Sequence, residues 1–73
     1  MSFIYSDNRQ LKAAYKELIK SKNKTMKDVS RELGLSTPQQ LNNKFNNKRI
    51  SFDDMQKFLD AVGCSLEISF REK

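Results

Sequence analysis

The sequence predicts an all-α fold of four to five short helices followed by one short C-terminal β-strand, and three observations predict it. Apolar residues recur at spacings of three and four through most of the chain. Ser, Thr or Asp stands before each such stretch and Gly or Asn follows several of them, which are the residues that start and stop helices. From Ser65 the period changes to two, with Leu66, Ile68 and Phe70 alternating with Ser65, Glu67, Ser69 and Arg71. A chain of 73 residues buries one modest core, so the expected organisation is a single domain over 1–73.

The first helix is expected from about Asn8 to Lys20, with Leu11, Ala14, Tyr15, Leu18 and Ile19 on one face and Ser6 or Asp7 as its cap. Lys12, Lys16 and Lys20 fall on the opposite face, and Ser21-Lys22-Asn23-Lys24 reads as a short, wet, basic loop. Thr25 starts a second helix over Met26 to Leu33, with Asp28 completing a capping box and Gly34 ending it. Ser36 or Thr37 starts the third, with Pro38 in its first turn and Leu41 and Phe45 as its inner stripe. Asn46-Asn47-Lys48-Arg49 is turn chemistry. Ser51 then caps a fourth helix whose stripe is Phe52, Met55, Phe58, Leu59 and Val62, and Gly63 stops it. The strand needs a partner for its backbone groups, either Ser2 to Tyr5 or the same strand of a second chain.

Composition removes several classes of function. The net charge is +5, and it is uneven: Arg9 to Arg49 holds eleven Lys and Arg against three acids, Ile50 to Lys73 three against five. A cationic first two-thirds fits a polyanionic partner. There is no histidine, and the carboxylates fall at caps and on solvated faces, so an enzyme is not expected. A single cysteine, Cys64, forms no internal disulfide and no zinc cluster, and no cofactor is implied. With no run of about 18 apolar residues and no leader-like start, the expected location is the cytoplasm, without membrane contact.

Residues 25–46 have the form of a helix-turn-helix: a short helix, a tight turn at Gly34, and a second helix held by Leu41 and Phe45, with the small Ser30 where the two helices cross. TMKDVSRELGLSTPQQLNNKFNNKR, followed by SFDDMQKFLDAVGCSLEISF, resembles the Xre-type family that includes the phage Cro and repressor proteins, over about Leu11 to Gly63. The resemblance implies a lambda repressor-like fold and a regulator of transcription, a repressor of phages, plasmids and other mobile elements, or an antitoxin. A single module of this size makes few base contacts, so a homodimer on a double-stranded DNA operator, an inverted repeat, is expected. Two departures stand out: Leu41 lies seven residues beyond Gly34 where the family pattern has six, and Asn47 stands where many members have Gly.

With Leu41 and Phe45 inward, a step of about 100° per residue turns Gln39, Asn43 and Asn46 outward and sets Gln40, Asn42 and Asn47 on the shoulders. An amide carries both a donor and an acceptor, the pair that matches adenine N6 and N7, so Gln39 and Asn43 lead the expected base readers, with Gln40, Asn42 and Thr37 beside them. Thr25, Lys27, Ser36, Lys44, Asn46, Asn47, Lys48 and Arg49 are the expected phosphate contacts, several of them near helix N-termini. Leu66, Ile68 and Phe70 are the expected dimer contacts, unless the strand pairs with Ser2 to Tyr5 of its own chain. A protein-binding module, an inhibitor or antitoxin on the same scaffold, is the alternative.

Overall fold

The computed structural model describes residues 2–46 and 50–73. Among these residues four helices follow one another: α1 (Asn8–Ser21), α2 (Met26–Glu32), α3 (Pro38–Asn46) and α4 (Phe52–Asp60). Each of the first, second and fourth begins on a side-chain cap that satisfies an N–H left free at the helix start. Asp7, not Ser6, caps α1, accepting the Gln10 N–H at 2.8 Å. The Thr25 hydroxyl accepts the Asp28 N–H at 3.1 Å while Asp28 accepts the Thr25 N–H at 3.0 Å, the full capping box. Ser51 accepts the Asp54 N–H at 3.0 Å. Pro38 is the first residue of α3, where its missing N–H costs nothing.

The stops are equally local. Gly34 (φ 76°) and Gly63 (φ 74°) take the left-handed conformation, and the residue after each turns its N–H back into the helix: Leu35 to the Ser30 carbonyl and Cys64 to the Leu59 carbonyl, both at 2.8 Å. Asn23 (φ 59°) does the same service after α1.

Tyr15, Ile19, Val29, Leu41, Phe45, Met55, Phe58, Leu59 and Val62 form the core, with Leu11, Leu18, Met26, Leu33, Leu35, Ile50, Ala61, Cys64 and Leu66 packed half-buried around it. At its centre three rings meet: Tyr15 and Phe45 at 5.3 Å between centroids, Phe45 and Phe58 at 5.5 Å, Tyr15 and Phe58 at 6.0 Å. They tie α1, α3 and α4 together. Ser30 is buried and returns its hydroxyl to the Met26 carbonyl at 2.8 Å, so a small polar residue sits in the core with its hydrogen bond made.

The Tyr15 hydroxyl donates to the Phe58 carbonyl at 2.8 Å. That carbonyl lacks its usual helical partner because Val62 turns its N–H to Leu59 instead. Burial, with the Cys64 thiol and the Glu32 carboxylate adding to it, raises the Tyr15 phenol well above its ordinary range. The phenol is therefore harder to ionise folded than unfolded, and stability is whole below pH 10 or so and falls as pH rises beyond it. Tyr15→Phe is expected to cost about 1–2 kcal/mol at pH 7 in a urea melt and to flatten this alkaline decline. An unchanged midpoint would show that the hydroxyl contributes nothing.

Three expectations are corrected. No strand forms over Ser65–Phe70 among the described residues, and no backbone hydrogen bond joins this segment to residues 2–5. Ile68 and Phe70 are 54% and 98% exposed, so the alternation is present without an edge to pair with. Phe52 is 69% exposed rather than core, because the first turn of α4 overhangs the packed layer although its angle matches the stripe. Lys24 does not belong to a wet loop: its ammonium donates to Glu32 at 2.9 Å and to the Ala61 carbonyl at 3.3 Å, clamping the α1–α2 connection onto the ends of α2 and α4.

Candidate nucleic-acid interface

The candidate surface is the outer side of α3, and its aim is set from inside. Leu41 and Phe45, one turn apart, are almost wholly buried. With these two fixed against α1, α2 and α4, the helix cannot rotate, and Gln39, Gln40, Asn43, Lys44 and Asn46 are exposed. A rigid helix carrying polar side chains in fixed order is the form that enters a major groove.

The amides are not equivalent. Gln39 Nε2 donates to Asn43 Oδ1 at 3.0 Å, joining the two expected readers across one turn. Gln40 Oε1 accepts the Ser36 N–H at 2.8 Å, so this amide braces the entry to α3. Asn42 is half-buried, and its Oδ1 is sealed from solvent without a hydrogen-bond partner. Its carbonyl is therefore withdrawn from the surface on which the sequence reading placed it. Thr37 and Ser36 are exposed just before Pro38. A shallow notch beside Gln40 and Asn43 is lined by Leu35 and Lys44.

Among the expected phosphate contacts, Lys44 and Asn46 are exposed on α3, and Thr25 and Lys27 are exposed at the start of α2. Thr25 already uses its hydroxyl and its N–H in the capping box. The Asp28 carboxyl is held below its ordinary range by the Thr25 N–H first and the Thr25 side chain second, so a negative charge sits at this helix start. Lys27 is thus the better anchor there. Asn47, Lys48 and Arg49 lie outside the described residues.

Sequence reasoning missed one cation. Lys12 Nζ donates to Asn46 Oδ1 at 3.3 Å, which carries a positive charge from α1 to the end of α3. The signal was available: Lys12 lies three residues before Tyr15 and seven before Ile19, on the buried side of α1 rather than the opposite face. Leu66, Ile68 and Phe70 do not join this surface; Leu66 packs on the core and the other two project from it.

Among the described residues no helix is long and apolar enough to cross a membrane. A profile of the helix-turn-helix family matches residues 16–68, which takes in all of α2, α3 and α4. No curated protein and no solved structure matches the chain.

Proposed function

Since the chain belongs to the helix-turn-helix family of Cro/C1 type, the Xre-like DNA-binding regulators of transcription, we propose that it is a sequence-specific repressor or autoregulator that binds double-stranded DNA as a homodimer, α3 of each copy lying in a major groove. The observation that carries the reading is the two-sidedness of α3: Leu41 and Phe45 locked in the core, Gln39 and Asn43 presented outward as a hydrogen-bonded pair. Gln39 and Asn43 read base edges with Gln40 and Thr37 beside them, and the half-buried Asn42 stands back from that edge. Lys12, Lys27, Lys44 and Asn46 hold phosphates, together with Ser36, Asn47, Lys48 and Arg49. The operator is an inverted repeat with half-sites about 34–36 Å apart, the spacing that two symmetric helices reach on one face of the duplex. Such a protein works in the cytoplasm, needs no cofactor and has no catalytic site.

The second copy is held chiefly through the exposed Ile68 and Phe70, with Leu66 beside them anchored on the core. Their alternation forms a strand once a partner chain supplies the missing backbone groups, and the twofold symmetry of the protein then matches that of the operator. The same exposed tail favours one other reading, an inhibitor or antitoxin that docks a different protein there.

Selection from a random duplex library, with the whole protein as bait, tests the proposal. The expected result is an inverted repeat, bound at least about tenfold less selectively by the Gln39→Ala/Asn43→Ala protein, while affinity for scrambled DNA stays the same. Failure to enrich any sequence would leave the protein-docking reading in its place.

A further inference from the structure

Among the described residues, no backbone hydrogen bond outside the helices involves residues 65–73. Leu66 packs on the core, and Ile68 and Phe70 follow it on the same side of an extended chain, each more exposed than the last, so one apolar row begins on the body of the protein and runs off it. Glu67, Ser69 and Arg71 fall on the other side. In an antiparallel pair of identical strands, directly opposed side chains share a face, and a twofold axis relates the copies. An axis midway between two residues turns the two apolar rows to opposite faces, so the axis passes at a residue. At Leu66 it opposes Phe70 to Val62, whose N–H is committed to the turn that ends α4. At Glu67 it sets two carboxylates against each other, a destabilising pair. At Ser69 it joins Glu67 to Arg71, but it lays Glu72 on Leu66 and leaves Phe70 beside the exposed Ile68; at Phe70 it lays Glu72 on Ile68. At Ile68 it sets Ile68 on Ile68 and each Phe70 on Leu66 of the other copy, where the core covers the ring. Burying an aromatic ring outweighs an exposed ion pair, so this last arrangement is favoured.

We propose that two copies of the chain join their tails as an antiparallel ribbon centred on Ile68, in which Phe70 of each copy closes over Leu66 of the other. The inference rests on the reading of the tail as the dimer contact and adds its register. On the polar face Glu67 meets Ser69 and Ser65 meets Arg71, so no like charges are opposed. Both apolar rows face the same way, and both bodies therefore lie on one side of the ribbon, the placement that one face of a duplex asks of two α3 helices.

The test uses the full chain with Cys64→Ser, carrying either Glu67→Cys or Ser69→Cys; both positions are exposed and leave the apolar row untouched. With the axis at Ile68, position 67 of one copy is opposite position 69 of the other, with Cα atoms about 4.5–5.5 Å apart, a separation that a disulfide spans. Oxidation of an equimolar mixture, one protein carrying a size tag, is expected to yield the mixed 67–69 dimer about fivefold or more over either symmetric one. Phe70→Ala is expected to weaken the dimer about tenfold or more in sedimentation and to leave the unfolding midpoint of the dissociated chain unchanged, because the ring is bare in a single copy. A larger yield from Glu67→Cys alone or Ser69→Cys alone moves the axis and overturns the inference. So does a dimer that gives no disulfide at either position, or one that keeps its affinity without the Phe70 ring. A chain that sediments as a monomer at every concentration tested overturns the tail-dimer reading itself, and this inference with it, a result distinct from the others.

Discussion

Replacing Phe45 by alanine is expected to remove about 3–5 kcal/mol of stability and to lower the urea midpoint steeply. The ring is 2% exposed and lies between Tyr15 and Phe58, so its loss empties the centre of the only three-ring contact among the described residues. Removing a buried aromatic ring costs about 3–5 kcal/mol, part in lost transfer energy and part in the cavity left behind. A domain of this size has about 4–11 kcal/mol in total. The loss therefore consumes much of the margin, and no neighbour is free to collapse into the space, because the other two rings are fixed by packing and by the Tyr15 to Phe58 hydrogen bond. Urea unfolding followed by circular dichroism is the measurement: the variant should melt early or show no folded baseline, and Phe45→Leu should recover about half of the loss. A midpoint equal to that of the wild type would refute the picture of α3 as a helix held by this ring.

The second large effect concerns assembly. Ile68→Lys/Phe70→Lys is expected to make the protein monomeric in sedimentation at micromolar concentration and to weaken operator binding about 100-fold or more. Binding of the second half-site within a dimer is an intramolecular event, and separating the copies removes that advantage without touching a single contact to DNA. At concentrations low enough to dissociate the wild type, the two proteins should share one unfolding midpoint, since Ile68 and Phe70 are exposed and contribute little to the monomer core. Leu66→Lys should differ, because Leu66 packs on that core and its replacement also lowers stability. A double variant that remains dimeric would move the interface elsewhere, with the exposed Phe3, Ile4 and Tyr5 as the next surface to change.

Much of the architecture was legible because it is written over short distances. A cap involves residues three or four apart, so Thr25 with Asp28, Ser51 with Asp54 and Asp7 with Gln10 can be read from adjacent letters, as can the turns at Gly34 and Gly63. Helical periodicity likewise identified Leu41 and Phe45 as the inner side of α3 and hence Gln39 and Asn43 as its outer side. What escaped depends on where separate elements meet. Nothing near Lys24 in the sequence announces the Ala61 carbonyl, 37 positions away. Phe52 has the right angle but no layer beneath it, and angle is all that periodicity reports. The tail repeats with a period of two, yet a strand is a property of a pair, and the pattern does not say where the second member is. In the interface, sequence counted amides; it could not show that Gln40 is engaged with Ser36, that the Asn42 oxygen is covered, or that Gln39 and Asn43 hold each other.

The hydrogen bond from Tyr15 to Phe58 spans 43 positions and joins the first helix to the last. During synthesis the chain emerges from its N-terminus, so α1, α2 and α3 leave the ribosome while α4 is still inside it. At that stage Phe45 has Tyr15 against it but not Phe58, and α3 rests on α1 and α2 alone. The three-ring contact at the centre of the core therefore closes only after α4 has emerged, and α3 takes its final support late in synthesis.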